Sequence, residues 1–572
     1  MMSVKAGAGS MCQQSSVFQI IITKLSEILM NVTTVATQPI EGQKPGTSGL
    51  RKKTRQFMEP NYLENFVQSI FNATGGIDGK TLVLGGDGRF FNKDAIQTII
   101  KMAAASNAAH LIVGQQGILS TPAASHLIRI NNADGGIILS ASHNPGGVDE
   151  DFGVKFNGSN GGPANETITD AIYHSTTSID SYDILEAGDT DISSTGVQSV
   201  GNLKLTIVDP VSSYLTLMES LFDFDAIRAL FGSGFTVLFD AMHAVTGPYA
   251  KAILEESLGA PRGSVINGVP LEDFGGGHPD PNPIWAKTLV DQMMSAQAPN
   301  FGAASDGDGD RNMIVGRGIY VTPSDSLAVM AANAHLAPGY AEGLVGIARS
   351  MPTSGACDKV AEQLGIASFE TPTGWKFFGN LLDADLATIC GEESAGTGSN
   401  HVREKDGLWA VLLWLNVLAA RKQSVAEIMR EHWAKFGRNY YSRYDYEALP
   451  VEKANMVMDT LNASIGTIVG NSYAGIQITQ ADQYSYDDPV DKSVSENQGL
   501  RVWFEGGRRA VLRLSGTGTE GATLRLYLED YCEDPDRLEL DTAEVLQPLV
   551  AAILELIRLE EFTGRTAPDV VT

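Results

Sequence analysis

Three stretches of the chain repeat one pattern of apolar and polar positions. In each, a short apolar run ends in a polar turn and is followed by a segment with the apolar spacing of a helix. The apolar runs are Leu82–Leu84, Phe235–Phe239 and Leu344–Ala348. Strand, turn and helix in this order are typical of a parallel sheet with crossover connections. The pattern therefore predicts three similar α/β units.

Each unit continues with two further segments that end in unusual polar loops. The loops after the second segments are 120–122, 274–282 and 371–375, and those after the third segments are 140–145, 305–311 and 391–398. Because the loops hold corresponding places in three similar units, they would converge if the units face one cleft. Chance similarity among α/β segments is the alternative, and one sequence does not exclude it.

The C-terminal part of the chain shows a different pattern. Segments 500–504, 510–514 and 523–528 alternate like antiparallel strands, and 543–561 has helical spacing. The prediction is an α/β protein with three similar mixed α/β domains around a central cleft and a smaller C-terminal α+β domain. The predicted boundaries are 1–36 for an N-terminal tail, 37–208 for domain I, 209–322 for domain II, 323–439 for domain III and 440–572 for domain IV.

Charge and composition narrow the possible partners of this 572-residue chain. The net charge of −27 argues against nucleic acid or an anionic membrane as the main partner. The four cysteines lie far apart without a CxxC pair, which favours idle thiols in a reducing cytoplasm. Segment 16–30 is too polar for a membrane span or a signal peptide, so we expect a tail with a short helix.

The segment Ile137–Pro145 holds the first candidate for chemistry. An apolar strand-like run ends in Ser140-Ala141-Ser142-His143-Asn144, and Pro145 prevents an immediate return to a regular ladder. Ser142 and His143 should therefore lie on a turn at the carboxyl end of a strand, where open α/β sheets bind ligands. A serine there could be a nucleophile or a phosphate carrier. A hydrolase triad is excluded because adjacent side chains diverge and no Gly-x-Ser-x-Gly motif is present.

Asp306, Asp308 and Asp310 alternate with glycines and form the second candidate. Three carboxylate ligands on a loop that can fold around an ion suit Mg²⁺ or Ca²⁺. An EF-hand is excluded because its glycine and glutamate positions are occupied by Arg311 and Arg317. A solvated acidic turn is the alternative.

Three further loops have compositions suited to a phosphorylated ligand. Segment 513–521 could cradle a phosphate with backbone amides, hydroxyls and arginines, although a plain glycine-rich hairpin is the alternative. Segment 44–53 is basic in an acidic protein and could be a second anion contact or a surface charge run. Segment 391–394 offers acceptors for sugar hydroxyls, or it could simply be the start of a helix.

These motifs, in this order, resemble those of the α-D-phosphohexomutases. The matching stretches are Thr-Ser-Gly-Leu-Arg (47–51), Ala-Ser-His-Asn-Pro (141–145), Asp-Gly-Asp-Gly-Asp-Arg (306–311), Thr-Pro-Thr-Gly-Trp-Lys (371–376), Gly-Glu-Glu-Ser (391–394) and Arg-Leu-Ser-Gly-Thr-Gly (513–518). The resemblance runs from about Gln38 to the C-terminus and is greatest for the eukaryotic phosphoglucomutase branch, including its relative parafusin. Ala395 and Glu520 depart slightly from the usual pattern, and Glu520 adds negative charge beside the phosphate loop.

The resemblance implies a role for each motif. Ser142 in domain I would carry the phosphoryl group, and the metal loop of domain II would hold Mg²⁺. The implied catalytic residues are Ser142, His143, Lys405 and Arg311. The implied metal ligands are Ser142, Asp306, Asp308 and Asp310. The implied substrate-binding residues are Thr47, Ser48, Arg51, Lys155, Thr373, Gly374, Glu392, Ser394, Arg513, Ser515, Gly516, Thr517 and Arg525.

The implied activity is the reversible interconversion of glucose 1-phosphate and glucose 6-phosphate. It would proceed through a phosphoserine enzyme, with glucose 1,6-bisphosphate as intermediate and activator. A phosphomannomutase-type specificity is one alternative, and a vesicle- or cytoskeleton-associated interaction protein is another. The expected partner is a phosphorylated hexose, without nucleic acid and without a membrane span, in the cytoplasm. The sequence does not distinguish a monomer from a dimer.

Overall fold

The structure is a computed structural model that describes residues 31–46, 48–518 and 521–572. The predicted helix within 16–30 lies outside the described residues, as do Thr47 and Glu520. For residues 516–518 the description covers the backbone. Within these ranges, no helix combines the length and the apolar character needed to cross a membrane.

The first sheet contains the strands of the N-terminal third of the chain. A short two-stranded sheet pairs β1 with β7, and the main sheet has the order β2-β6-β5-β3-β4-β9-β8. The strands are β1 Val32–Ala36, β2 Leu50–Lys53, β3 Thr81–Gly86, β4 His110–Ile118, β5 Gly135–Leu139, β6 Asp151–Gly158, β7 Ser181–Leu185, β8 Gly196–Val200 and β9 Leu203–Val208. The helices are α1 Thr54–Phe57, α2 Tyr62–Ala73, α3 Asn92–Ala105, α4 Thr121–Ile130 and α5 Glu166–Thr176.

The second sheet has the order β11-β10-β12-β13-β14. Its strands are β10 Val237–Asp240, β11 Val265–Ile266, β12 Phe301–Ser305, β13 Asn312–Gly316 and β14 Ile319–Val321. The helices of this part are α6 Ser212–Leu221, α7 Phe224–Gly232, α8 Thr246–Ala250, which continues as a π-helix over Lys251–Ser257, and α9 Lys287–Met293.

The third sheet has the order β16-β15-β17-β18. Its strands are β15 Gly346–Ser350, β16 Ala367–Thr371, β17 Ile389–Gly391 and β18 Thr397–Ser399. The helices are α10 Pro323–Asn333, α11 Ala356–Leu364, α12 Trp375–Asp383, α13 Gly407–Arg421 and α14 Val425–Phe436. Helix α13 is buried nearly all round, from Gly407 to Ala419. It is therefore a central core element and not a surface helix.

The three sheets share one pairing pattern. Strands β3, β10 and β15 each lie between the two strands that follow them in the chain and are parallel to both. The second of those two strands then pairs antiparallel with the next one, as β5 does with β6. The loops after corresponding strands therefore leave each sheet at the same kind of edge. This confirms the predicted fold class of three similar mixed α/β units.

The fourth sheet is antiparallel in its central strands and has the order β20-β21-β24-β25-β26-β19-β27. Its strands are β19 Arg438–Leu449, β20 Ser472–Tyr473, β21 Ile476–Gln483, β24 Leu500–Phe504, β25 Arg508–Gly518, β26 Gly521–Cys532 and β27 Val570–Val571. Two further strands, β22 Tyr486–Asp487 and β23 Val494–Ser495, pair with each other in a separate two-stranded sheet. The helices are α15 Val451–Ser464, α16 Thr542–Ile557 and α17 Leu559–Thr563. This is the predicted C-terminal α+β unit.

The last residues of the predicted N-terminal tail form a strand, which the sequence did not predict. Val32–Ala36 pair antiparallel with Ser181–Leu185 and leave side chains alternately half-buried and exposed. Because half-buried side chains alternate with exposed ones and Val35 packs against the core of the first α/β unit, this segment forms a half-buried strand of that unit. The short alternation was too weak to predict a strand without its partner, which is about 150 residues away.

Candidate active site

Loops from the first three sheets meet around Ser142. The loop that follows β5 carries Ser142, and the loop between β12 and β13 carries the three aspartates. The Ser142 Oγ donates a hydrogen bond to Asp306 Oδ2 over 3.0 Å. The loop after β18 brings the Lys405 Nζ within 3.1 Å of Asp310 Oδ2. The motifs that the sequence singled out separately are therefore parts of one site.

The Ser142 side chain is buried and its backbone is strained. The residue is 1% exposed and has φ = 54°, in the left-handed region that residues with a side chain rarely adopt. Such strain costs about 1–3 kcal/mol and concentrates at functional positions. The Ser142 amide donates to Ser140 Oγ over 2.7 Å, and its carbonyl accepts from the Arg89 guanidinium over 2.8 Å. Hydrogen bonds at both the amide and the carbonyl of Ser142 therefore fix the backbone that carries the hydroxyl.

Arg89 is itself fixed by a buried ion pair. Its Nε lies 2.9 Å from Asp87 Oδ2, and both side chains are fully shielded from solvent. A further guanidinium nitrogen donates to the carbonyl of Asp151 at the start of β6. Arg89 therefore ties the serine loop to β6, which places the loop with little freedom to shift. The sequence indicated a polar turn at Gly85–Arg89 but not this function.

Each aspartate of the metal loop has different partners. Asp306 Oδ1 accepts the amides of Asp310 and Arg311 over 2.9 and 3.0 Å. Asp308 Oδ2 accepts from the Thr121 hydroxyl over 2.7 Å and from the Lys155 ammonium over 2.5 Å. Among the described residues, Asp308 Oδ1 and Asp310 Oδ1 have no hydrogen-bond partner although both atoms are buried.

Burial and charge act on these carboxyls in opposite directions. Burial and the two neighbouring aspartates raise the pKa of Asp306 well above its ordinary value. Burial also disfavours the charged form of Asp308, but the Lys155 ammonium outweighs it and lowers the pKa of Asp308 below the usual range. Crowded carboxylates that cannot all ionise comfortably are relieved when a cation binds between them.

The donor set fits a divalent cation. One oxygen from each of Asp306, Asp308 and Asp310 lies within 4.8 Å of the others, and all three residues are buried. Two of the carboxylate oxygens lack partners among the described residues. Carboxylate oxygens are hard ligands of the kind that Mg²⁺ and Ca²⁺ prefer. The loop is therefore suited to hold a metal ion, with the Ser142 Oγ beside it.

Cations from several elements surround the carboxylates. The Arg311 Nε lies 4.0 Å from both Asp306 Oδ2 and Asp310 Oδ1, and its Nη1 lies 3.8 Å from Asp280 Oδ1. Although burial opposes it, the aspartates raise the pKa of the Lys155 ammonium, which stays charged. These cationic groups lie within a few ångströms of the aspartates and offset much of their negative charge.

His143 lies against the serine but points its imidazole into a cationic environment. Its Nδ1 is 3.4 Å from the Ser142 Oγ. Burial, Arg311 and Arg51 lower the pKa of His143 well below its ordinary value, so the imidazole is neutral. A neutral imidazole can accept a proton, which suits a group beside a reacting hydroxyl.

One cavity joins most of the predicted substrate-binding residues. It is lined by Ser48, Arg51, Lys155, Arg311, Thr373, Gly374, Glu392, Ser394, Lys405 and Arg525. Glu392 Oε1 accepts the Gly374 amide over 3.3 Å, and burial raises the pKa of Glu392. A second, adjoining cavity is lined by His143 together with Arg311, Ser394 and Arg525. The first cavity is also lined by Asp310, and the two cavities share Arg311, Ser394 and Arg525.

The glycine-rich hairpin of the fourth sheet contacts the 371–375 loop of the third unit. Arg513 donates from Nη1 to the Thr373 Oγ1 over 2.7 Å. Ser515 pairs with Thr523 across the hairpin, and the backbone of Gly516 and Thr517 continues β25. Arg525 lies on the neighbouring strand β26 with its Nε 3.6 Å from Asp445. Arg525 therefore lines the cavity and Arg513 contacts Thr373, which lines it as well, while Thr47 lies outside the described residues.

Several residues of the site have partners that the sequence motifs did not indicate. Thr121 donates to Asp308, and Asn157 donates to Glu404 over 2.9 Å. Burial raises the pKa of Glu404 to about 7. Asp280 lies beside Arg311 within the 274–282 loop. These partners are far apart in sequence, and the only available signal was the position of their loops in corresponding parts of the three units.

Family comparisons cover nearly the entire described chain. Residues 42–183, 212–318 and 323–436 match domains I, II and III of the family described as phosphoglucomutase/phosphomannomutase. Residues 438–569 match the C-terminal domain described as that of phosphoglucomutase-1.

Individual relatives are similar over the same length. A phosphoglucomutase from Rhizobium radiobacter is 59% identical over 95% of this chain and 100% of its own, and a cytoplasmic phosphoglucomutase from Populus tremula is 52% identical over 95% and 100%. Other plant relatives are named chloroplastic. The open form of pp63/parafusin from Paramecium, titled a phosphoglucomutase, superposes with a TM-score of 0.88 at 49% identity over 95% of this chain and 99% of its own.

Proposed function

The chain belongs to the phosphoglucomutase/phosphomannomutase family and is an intramolecular phosphotransferase of the phosphoglucomutase type, and from this premise we propose that Ser142 carries the phosphoryl group. The observation that supports the proposal most is the 3.0 Å contact between the Ser142 Oγ and Asp306 Oδ2. It puts a hydroxyl of the serine loop directly beside a cluster of carboxylates that could bind a cation.

Mg²⁺ is the metal that we propose for the aspartate loop. Asp306, Asp308, Asp310 and a phosphate oxygen on Ser142 would hold it, in accord with the two buried carboxylate oxygens that have no partner among the described residues. When bound, the ion supplies positive charge that stabilises the oxygens of the phosphoryl group during transfer.

The reaction then has two phosphoryl transfers in opposite directions. In the first, the bond from phosphorus to the Ser142 Oγ breaks while the 6-hydroxyl of glucose 1-phosphate bonds to phosphorus and gives up its proton. The product is glucose 1,6-bisphosphate, which turns round in the cleft. In the second, the Ser142 Oγ takes the phosphoryl group from the 1-position, a proton returns to the sugar oxygen, and glucose 6-phosphate leaves. Free glucose 1,6-bisphosphate would activate the dephosphorylated enzyme by the same second step.

The chain's own residues position and neutralise the reactants. We assign proton movement at the reacting oxygens to His143 and Lys405, and charge neutralisation at the transferred phosphoryl group to Arg311, Arg51 and Lys155. The sugar hydroxyls would be held by Thr373, Gly374, Glu392 and Ser394. The non-reacting phosphate would be held by Arg513, Ser515, Gly516, Thr517 and Arg525, and Thr47 and Ser48 would also bind the substrate.

The cytoplasm is the location that we propose for the enzyme, on the reducing character of its cysteine usage and the cytoplasmic name of the poplar relative. The proposed partner is a phosphorylated glucose.

Replacement of the serine tests the proposal. In a coupled assay with glucose 1-phosphate, Mg²⁺ and trace bisphosphate, Ser142→Ala should lower kcat by at least about 10³-fold, because the phosphoryl carrier is lost. Ser140→Ala is the matched control, since it changes a buried hydroxyl in the same loop and removes one hydrogen bond to the Ser142 amide. It should keep most of the activity. Turnover of Ser142→Ala close to that of Ser140→Ala would overturn the assignment.

A further inference from the structure

A chain of buried polar side chains lies behind Lys405. It contains His401, Ser399, Tyr340, Trp409 and Asp406, and their side chains are shielded from solvent. His401 Nε2 is 3.0 Å from Asp406 Oδ2 and His401 Nδ1 is 2.7 Å from Ser399 Oγ. Ser399 Oγ is 2.6 Å from the Tyr340 hydroxyl, which in turn accepts from Trp409 Nε1 over 2.6 Å. We refer to these five residues as the His401 relay.

Only one arrangement of hydrogens uses every contact of the His401 relay. The indole N–H donates to Tyr340, the Tyr340 hydroxyl to Ser399, and the Ser399 hydroxyl to His401 Nδ1. His401 Nε2–H then donates to an ionised Asp406. If both nitrogens of His401 carried a hydrogen, His401 Nδ1 would donate to Ser399 and Ser399 would donate to Tyr340. The Tyr340 hydrogen would then have no acceptor among the described contacts. Burial raises the pKa of Tyr340, which keeps this phenol a donor.

Asp406 collects donors from other elements as well. Its Oδ1 accepts the Tyr214 hydroxyl of α6 over 2.6 Å and the Trp409 amide of α13 over 3.0 Å. Asp406 is therefore the N-cap of α13, and it links that buried helix to α6. A buried carboxylate with all of its donors in place rigidifies its surroundings, whereas one that loses a donor is strongly penalised.

The backbone on either side of Asp406 is locked against the metal loop. The Asp406 amide donates to the Thr397 carbonyl over 2.8 Å, and the Gly407 amide donates to the Gly309 carbonyl over 3.0 Å. A Cβ at Gly407 would lie 2.1 Å from the Arg311 carbonyl oxygen, and one at Gly396 would lie 2.3 Å from the Lys405 Cδ. The methylene groups of Lys405 therefore pass close to the backbone of Gly396, and the Lys405 Nζ contacts Asp310.

We propose that the His401 relay positions Lys405, so that His401 and Ser399 act on the mutase reaction through the placement of the Lys405 ammonium beside Asp310. The relay residues do not touch the cavity that holds the substrate, and neither Ser399 nor His401 lines it. Their effect passes through Asp406 to the residue that precedes it in the chain. The inference rests on the proposed role of Lys405 in catalysis.

A double-mutant cycle between His401 and Lys405 tests this inference. His401→Phe keeps the ring that stacks on Trp409 but removes both nitrogens. We expect it to lower kcat by about tenfold with KM for glucose 1-phosphate within about twofold. In a Lys405→Met background, the same change should lower kcat further by less than about twofold, because the group that it positions is already absent. Ser399→Ala, a smaller change in the middle of the relay, should show the same non-additivity.

Trp414→Phe is the matched control for a general loss of stability. Trp414 lies on the same buried helix and donates to Ser326 over 2.9 Å, outside the relay. It should lower Tm while kcat stays within about twofold. If the full effects of His401→Phe and Ser399→Ala persist in the Lys405→Met background, or if both change only Tm, the positioning role is overturned. If Lys405→Met alone leaves kcat unchanged, the catalytic assignment of Lys405 fails, and the relay inference fails with it.

Discussion

Charge balance among a few buried residues decides what the metal loop can bind. Asp306, Asp308 and Asp310 converge within 4.8 Å, and Lys155, Lys405 and Arg311 surround them. Although these three cations offset the negative charge, two buried carboxylate oxygens have no hydrogen-bond partner among the described residues. A divalent cation would supply the partner that these oxygens lack, with the hydroxyl of Ser142 beside it.

Removal of one carboxylate should abolish the response of stability to Mg²⁺. A ligand that binds the folded state raises the free energy of unfolding by about 2.7 kcal/mol at one hundred times its Kd. We expect such a rise in wild type, seen as a higher Tm on addition of Mg²⁺. Asp308→Asn should show little or none, since it replaces a buried anionic ligand by a neutral amide.

The control for this measurement is Asp225→Asn, which alters an exposed aspartate that forms an ion pair with Arg228. It should leave the Mg²⁺-dependent rise of Tm intact. An equal rise in Asp308→Asn and Asp225→Asn would show that the ion stabilises the protein from some other place.

Some features of the site residues can be recognised from the sequence, and others cannot. Ser142 and the three aspartates stand in motifs whose composition alone suggests chemistry. The left-handed backbone of Ser142 and the Thr121–Asp308 contact have no local signature. They depend on residues far apart in sequence that meet only when three sheets are assembled, so a motif cannot encode them visibly. The roles of all these site residues, Ser142 and the aspartates included, stay predictions until the variants are measured.

At the scale of elements, two loops meet backbone to backbone. A Cβ at Gly307 would lie 2.3 Å from the carbonyl oxygen of Ser142, and the Gly307 carbonyl accepts the Val245 amide over 3.3 Å. No side chain larger than hydrogen fits between the serine loop and the metal loop. The glycines of this motif therefore serve close approach as well as flexibility.

Gly307→Ala should separate the serine from the aspartates. The added methyl group would force the Ser142 carbonyl away, and a displacement of about 1 Å at a reacting centre lowers kcat by about 10²-fold. Gly188→Ala is the control, because a Cβ there meets nothing within 4 Å. It should behave like wild type in the coupled assay. Near-normal kcat in Gly307→Ala would mean that the loops need not touch for catalysis.

The repeated strand order was visible in the sequence because it follows from local periodicity. The three apolar runs and their polar turns predicted units that the sheets β3–β6, β10–β13 and β15–β18 contain. Strand β1 was missed because five residues of weak alternation do not reveal a partner in β7. Pairing between distant segments is decided by tertiary context, which propensity does not include.

At the scale of the whole molecule, Glu370 joins the third and fourth sheets. Its carboxylate accepts from Arg349 over 2.9 Å, from Arg509 over 3.3 Å and from Arg501. Its carbonyl accepts the Tyr484 hydroxyl over 2.8 Å. Arg501 and Arg509 lie on β24 and β25, so one glutamate holds the strands that lead to the glycine-rich hairpin.

Loss of this glutamate should loosen the fourth sheet from the third. Glu370→Ala leaves three guanidinium groups without their shared partner, which we expect to lower the free energy of unfolding by about 2 kcal/mol, because the carboxylate is largely buried. Urea unfolding measures the change. Asp225→Ala removes an exposed ion pair and should change stability by less than about 0.5 kcal/mol. Equal effects of the two variants would contradict a joining role for Glu370.

The assembly of four units was predicted, but the ties between them were not. The domain boundaries 37–208, 209–322, 323–439 and 440–572 remain predictions about where the units would separate. Ion pairs such as Arg501–Glu370 connect residues 131 positions apart. Many charged residues of the sequence could form ion pairs with one another, and only the packed structure shows which of them do.

Transfer of radioactive phosphate is the most direct test of the central claim that Ser142 carries the phosphoryl group. The dephosphorylated enzyme would be incubated with ³²P-labelled glucose 1,6-bisphosphate and digested, and the labelled peptide would be sequenced. We predict label on the peptide that contains Ser142, its transfer to unlabelled glucose 1-phosphate in a single turnover, and no label in Ser142→Ala. Stable label on another residue, or full labelling of Ser142→Ala, would contradict the account.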